Sequence, residues 1–135
     1  MPTQGGQIEK QLWTYGSDDT GPPLQMDDGL RDMDGNVIDL TDAEKVLFSM
    51  GWSSPNHTNM PTQKIVDRGE GEIVDAVNGV VLYRFQPGDL AAAGIRDFAW
   101  EIVWNDGTVQ SVKSLSYWFL RVQSPPFAQR GPYQP

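Results

Sequence analysis

Four side chains with oxygen ligands lie close together in one short stretch: Asp32, Asp34, Asn36 and Asp39. Carboxylate and amide oxygens at nearly alternate positions are the ligands that Ca²⁺ prefers, so calcium binding is the first chemistry to consider. The stretch fails as an EF-hand loop, because Val37 stands where the loop glycine belongs and Ala43 where the bidentate acid belongs. A tight turn shaped by Asp34 and Gly35 explains the pattern better, and we predict no metal site here.

The other groups with catalytic potential lack partners. His57 is the single histidine, lies in a polar loop, and has neither a cysteine nor a second histidine with which to form a zinc site or a nucleophile pair. Acid pairs such as Asp18 with Asp19, or Glu70 with Glu72, could flank a glycosidic bond. In so acidic a chain we expect them to be solvated surface groups. The sequence therefore predicts no catalytic residue, no cofactor and no enzymatic activity.

The elements that must position these residues are short strands joined by glycine turns. Residues 98–104 alternate large apolar with smaller or polar side chains, and Asp106-Gly107 precedes a second β-rich run, which predicts a hairpin. Residues 73–77 and 80–85 flank Asn78-Gly79 and predict another hairpin, with alternate residues from Val81 to Phe85 on one face. Further strands are predicted near residues 63–66 and 117–122.

Two segments are compatible with helix. Thr41 and Glu44 fit a capping box, so residues 42–50 could form a helix, but Val46, Phe48 and Met50 alternate with other residues. We favour a turn followed by a strand. Residues 87–94 resemble a single helical turn that ends at a glycine.

Short strands separated by turns at intervals of roughly ten residues predict an all-β fold: an immunoglobulin-like antiparallel β-sandwich with extended N- and C-terminal arms. We assign residues 1–29 to an N-terminal arm with one short strand and residues 30–123 to the sandwich. Residues 124–135 form an extended, proline-rich C-terminal tail in this interpretation.

Composition limits the class of partner. A length of 135 residues suits one domain, and the formal net charge of −8 with ten scattered Lys and Arg disfavours binding to nucleic acid or to anionic lipid. The absence of cysteine excludes a disulfide framework and a thiolate metal site. No apolar run could span a bilayer, and residues 1–6 lack the features of a signal peptide, so we expect a protein that is used without secretion.

Aromatic residues are the candidates for an interface. Trp100 and Trp104 are expected in the core because they lie on an alternating strand. We predict that six other rings make protein contacts: Trp13, Tyr15, Trp52, Trp118, Phe127 and Tyr133. Rings in the terminal segments gain from docking either on a neighbouring subunit or on their own domain, and the sequence leaves both open.

Several segments occur in the order seen in a known family: residues 32–41, 46–50, 73–83, 89–94 and 105–107. Together they resemble the N-terminal domain of the baseplate upper protein of tailed bacteriophages, an immunoglobulin-like β domain that also occurs in other phage virion proteins. The resemblance implies a structural protein located in the virion. Its partners would be other virion proteins, namely tail, baseplate, neck or capsid subunits, and it would form a homo-oligomer in the particle.

Three functions follow from this reading. The first is a non-enzymatic virion protein of the tail or baseplate region, and the second is a capsid-decorating or neck protein. The third is a carbohydrate-binding module for host-surface glycans. Assembly predicts apolar surface on an edge or on the arms, whereas glycan binding predicts coplanar exposed rings beside polar groups.

Overall fold

A computed structural model describes residues 10–52, 64–112 and 117–124, and all regular structure in these ranges is β. The nine strands are β1 (Lys10–Gly16), β2 (Leu24–Gln25), β3 (Ala43–Trp52), β4 (Lys64–Glu70), β5 (Glu72–Asp75), β6 (Val80–Tyr83), β7 (Gly94–Trp104), β8 (Val109–Ser111) and β9 (Tyr117–Gln123). They form two sheets with mostly antiparallel pairing, so the predicted all-β sandwich is confirmed. Within these residues, no helix is long and apolar enough to cross a membrane.

The larger sheet has the strand order β1-β9-β7-β3-β4. Its centre is the long antiparallel pair of β3 and β7, which runs from Ala43 opposite Trp104 to Trp52 opposite Arg96. β9 pairs with the beginning of β7, and β8 pairs with the same edge of β7 further along. β1 closes the sheet by pairing in parallel with β9.

The smaller sheet has the order β2-β6-β5 and packs against one face of the larger sheet. The chain passes from the first sheet to the second at Gly71, whose N–H donates to the Val46 carbonyl over 2.9 Å. A Cβ at position 71 would lie 2.8 Å from the Trp100 ring and 2.9 Å from the Leu82 carbonyl oxygen. Only glycine lets the two sheets approach this closely at the crossing.

The core is built from aromatic rings contributed by both sheets. Phe48 lies at its centre, stacked on Tyr83 at 4.4 Å and edge-on to Trp100 at 5.2 Å between ring centroids. Phe98, Trp100 and Ile102 are buried, as the alternation in β7 predicted, whereas Trp104 is partly buried and packs against the core. Such ring pairs add to the stabilisation from apolar burial, and they fix how the two sheets are aligned.

Most of the predicted elements are confirmed, with two differences. Residues 43–52 are a strand, as favoured, and both predicted hairpins are present. Residues 87–90 form hydrogen-bonded turns instead of a helical turn, and β7 starts at Gly94. The second difference lies in the predicted N-terminal arm, where β1 and β2 are paired in the two sheets.

Candidate interaction surface

The candidate surface is a groove between two elements, and the first of these is the turn formed by residues 31–37. Asp32 Oδ1 accepts hydrogen bonds from the backbone N–H groups of Asp34 (2.9 Å) and Asn36 (3.0 Å). Arg31 forms a β-bridge with Val37 and donates from Nη1 to the Gly35 carbonyl. The Asp32 carboxylate thus shapes the turn. In the part of the chain that the structure describes, no group of three or more His, Cys, Asp or Glu residues is placed to hold a metal ion.

Two neighbouring turns use carboxylates in the same way. Asp39 Oδ1 accepts hydrogen bonds from the side chain and the backbone of Thr41, and these bonds lower the pKa of Asp39. Asp106 Oδ1 accepts the corresponding pair from Thr108, which lowers the pKa of Asp106. The Asn105 N–H donates to the Asp42 carbonyl and joins these two turns. Acidic turns therefore meet at one end of the sandwich.

This end is strongly anionic. Between positions 27 and 42 the acidic residues are Asp27, Asp28, Asp32, Asp34, Asp39 and Asp42, against a single basic residue, Arg31. The adjoining residues 105–112 carry Asp106 and no Lys or Arg. We call residues 27–42 and 105–108 the acidic end. Charges of one sign that lie within about 8 Å of each other reinforce their potential at physiological salt.

A groove lies at the acidic end, between the 31–37 turn and β8. It has a volume of about 430 Å³, and its lining residues are Asp32, Met33, Ile38, Gln110 and Ser111. Met33 is 53% exposed there. The Gln110 amide oxygen accepts a hydrogen bond from Trp104 Nε1 at 3.0 Å, so this wall is held in place.

The edge of β8 next to the groove is unpaired. The Trp104 N–H donates to the Thr108 carbonyl, and the Val112 N–H donates to the Trp100 carbonyl. Backbone groups alternate in direction along an antiparallel strand. Those of Thr108, Gln110 and Val112 therefore face β7, and those of Val109 and Ser111 face outward. Among the described strands, none pairs with this outer edge.

A second unusual feature is a buried arginine at the other end of β7. Arg96 is 1% exposed, its guanidinium lies 4.7 Å from the centroid of the Trp52 ring, and it donates to the Ala92 carbonyl. Nε and Nη1 of Arg96 have no hydrogen-bond partner among the described residues. Burial lowers the pKa of Arg96, and the charge of Asp89 partly opposes this. Because the guanidinium is enclosed, we assign it a packing role.

Where they are described, the aromatic residues predicted to form an interface make contacts within their own domain. Tyr15 is 6% exposed and contacts Phe85, and Trp118 is 9% exposed and stacks on Phe98. Trp13 lies edge-on to Phe98 at 5.3 Å. The strand register explains this result, because the pairing of β1 with β9 turns these alternate residues toward the core. Of the two open alternatives for Trp13 and Tyr15, docking on their own domain is the observed one.

Trp52 is half-buried against Arg96, so it is also partly used within the domain. Phe127, Tyr133 and His57 lie outside the described residues. Among the described residues, the exposed large apolar side chains are all aliphatic: Met33, Val74, Val77, Ile95 and Val109. None of these five residues is among the predicted interface residues. Single exposed aliphatic residues are common on protein surfaces, so no signal in the sequence marks these five.

The acids considered as catalytic pairs have structural roles or stay solvated. Asp19 accepts a hydrogen bond from the Gly16 N–H at 2.7 Å, and Glu72 forms an ion pair with Arg84, which directly follows β6. Asp18 and Glu70 are exposed. Neither pair lines the groove between the 31–37 turn and β8.

Comparison of the sequence with protein-family models found no matching family. Comparison with curated proteins found no similar sequence.

Proposed function

We propose that this protein is a non-enzymatic structural component of a tailed-bacteriophage virion. In this proposal it is an immunoglobulin-like sandwich that assembles through protein–protein contacts in the tail or baseplate region. The observation that carries the assembly role is the outer edge of β8, with which no described strand pairs and which lies beside a groove containing the exposed Met33. The virion location is supported by the order of turn and strand segments that resembles the phage family.

An unpaired strand edge favours association because its N–H and C=O groups can bond to a strand of another protein. Proteins that stay monomeric cover or charge such edges. At β8 the outward-facing residues are Val109, which is 50% exposed, and Ser111. Neither is charged, so this edge lacks the usual side-chain protection against pairing.

The acidic end connects the proposed assembly role with the resemblance to the phage family. Residues 32–41 and 105–107 are among the family-like segments, and Asn105 donates a hydrogen bond to the carbonyl of Asp42, the residue directly after the first segment. We take this end as the mounting surface. A capsid-decorating or neck protein would use the same surface, and we keep it as the alternative location within the particle.

The carbohydrate-binding alternative gains no support from the described rings. Trp13 and Trp118 pack on Phe98, and Trp52 packs on Arg96. The Trp104 indole is bonded to Gln110. A glycan platform needs coplanar exposed rings, and the described aromatic residues do not supply one.

The test is to compare phage particles that contain and lack this protein. We expect negative-stain images of particles lacking it to show a missing or altered tail or baseplate feature, and labelled antibody to decorate that feature on complete particles. A bare shell or an altered neck would move the location to the alternative. Complete particles that contain no detectable copy of the protein would refute the proposal.

A further inference from the structure

We infer that the groove and the outer edge of β8 bind an extended, positively charged segment of a partner protein, which adds a strand beside β8. This inference rests on the proposed function, since it names the kind of contact through which the protein would assemble. Three features of the described residues support it: backbone geometry, the apolar floor of the groove, and charge.

The backbone supplies the directional part of the contact. Val109 and Ser111 each present an N–H donor and a C=O acceptor away from β7, as the hydrogen bonds at both ends of the hairpin require. An extended partner strand can bond to both residues without any change in the hairpin. Because β8 has only three residues, these bonds alone give a short contact, and neighbouring side chains must contribute.

The groove supplies that contribution. Met33 and Ile38 lie across it from Ser111, so an apolar side chain of the added strand can cover surface that is now exposed. Since alternate side chains of a strand point to opposite faces, we expect the partner segment to carry apolar residues at every second position.

Charge selects the partner. The groove lies within the acidic end, where residues 27–42 include six aspartates and only one basic residue, an arginine. A segment with Lys or Arg at the intervening positions is attracted to this end, and an acidic segment is repelled. A second copy of this chain is disfavoured as the occupant for the same reason, because its net charge is −8.

The experiment uses the full chain and two synthetic peptides, one in which lysine alternates with valine and one in which glutamate alternates with valine. We expect the lysine peptide to bind and to shift the amide NMR signals of Val109 and Ser111. The glutamate peptide should not bind. Binding of both peptides alike, or binding that maps to β4 or β5, would overturn the inference.

Matched variants separate the backbone from the side chain. Val109→Pro removes the outward N–H of residue 109, and proline is tolerated at such a position on an edge strand. Val109→Thr keeps this N–H. We expect the first to weaken binding of the lysine peptide about tenfold and the second to leave it unchanged. Met33→Ser should weaken binding, and Val77→Ser, at an apolar site that is also exposed, should not. Equal binding by Val109→Pro that retains the native fold would contradict the inference.

Two further measurements keep this inference distinct from the proposed function. If sedimentation shows self-association that Val109→Pro abolishes, the occupant is a second copy and the inference is wrong. If Val109→Pro enters phage particles as well as the unaltered protein does, the edge is not the mounting contact although the proposed function stands. If the protein is absent from particles, the proposed function is wrong. The peptide results then decide by themselves whether the edge of β8 binds a basic segment.

Discussion

At the scale of single residues, Gly71 is the position at which the two sheets constrain the sequence most. An added Cβ would meet the Trp100 ring and the Leu82 carbonyl, and the carbonyl belongs to a paired strand that cannot move aside. We expect Gly71→Ala to lower the free energy of unfolding by about 1–3 kcal/mol through overpacking, measured by urea denaturation.

Gly35→Ala is the comparison variant. Gly35 has a φ of +82° but no atom within 4 Å of an added Cβ, so its substitution introduces backbone strain without a clash. We expect a loss of about 1 kcal/mol there. An equal or larger loss for Gly35→Ala would show that the sheet crossing is looser than the distances indicate.

Two buried tyrosines, Tyr83 and Tyr15, should make the folded state less stable at alkaline pH. Burial, then the charge of Asp89 and the hydrogen bond that the Tyr83 hydroxyl donates to its carboxylate, raise the pKa of Tyr83 to about 12. Burial with the charge of Asp19 raises the pKa of Tyr15 to about 12. Because the folded pKa exceeds the unfolded value of about 10, the folded state holds these protons more tightly. The stabilisation is complete below pH 10 and is lost as the pH rises toward 12.

We therefore expect the free energy of unfolding to fall between pH 10 and pH 12 when urea denaturation is followed by circular dichroism. Tyr83→Phe should reduce that slope, since phenylalanine has no proton to lose, and the double variant with Tyr15→Phe should reduce it further. An unchanged slope in the double variant would assign the alkaline loss to other groups.

At the scale of elements, β4 carries an irregularity that is stabilised from β3 and β7. Arg68 has a φ of +55°, its N–H donates to Ser49 Oγ, and its guanidinium forms two hydrogen bonds with Glu101. The register between β3 and β4 shifts in this region. A non-glycine residue in the left-handed conformation costs on the order of 1 kcal/mol, and contacts of Arg68 offset that cost.

Two substitutions separate strain from ion pairing. Arg68→Ala loses the ion pair and keeps the strain, whereas Arg68→Gly loses the ion pair and removes the strain. We expect Arg68→Gly to be the more stable by about 1 kcal/mol in urea denaturation. Glu101→Gln should cost less than about 1 kcal/mol, because the pair lies at the surface. A less stable glycine variant would mean that position 68 is not strained.

The elements that could be predicted from the sequence are those with local signals. The hairpin after Trp104 follows from alternation and Asp106-Gly107, and β3 follows from the alternation of Val46 with Phe48 and Met50. Parallel pairing of β1 with β9 has no local signal, since more than a hundred residues separate the two strands. For that reason the segment around Tyr15 was assigned to an arm, and its ring to an interface.

The candidate surface could be predicted only in part, because it too depends on contacts between residues that are distant in the sequence. The turn at Asp34 and Gly35 could be read from residue types, but its position beside β8 depends on the sandwich closing. Large rings suggested an interface, yet rings are also what a core of this size needs, and the register buried them. The exposed side chains turned out to be aliphatic, such as Met33, and singly they carry no signal in the sequence.

At the scale of the whole molecule, the uneven distribution of charge should make stability depend on salt. The formal net charge is −8, and aspartates are concentrated at the acidic end, so folding brings like charges together. Added salt shortens the distance over which they repel, from about 10 Å at 0.1 M to about 3 Å at 1 M. We expect the melting temperature to rise by a few degrees as sodium chloride is added over this range.

Charge variants locate the effect. Asp34 and Asp42 are exposed and their carboxylates form no hydrogen bond with the described residues, so Asp34→Asn with Asp42→Asn removes two charges from the acidic end while leaving the turns intact. The comparison pair, Glu70→Gln with Asp67→Asn, removes two charges from β4. This strand is separated from β8 by β7 and β3 in the sheet, and Lys64 already forms an ion pair with Asp67 there. We expect the first pair to reduce the salt dependence of the melting temperature more than the second. Equal effects would mean that repulsion is spread over the surface, and the attraction of a basic partner to the acidic end would then lose its physical basis.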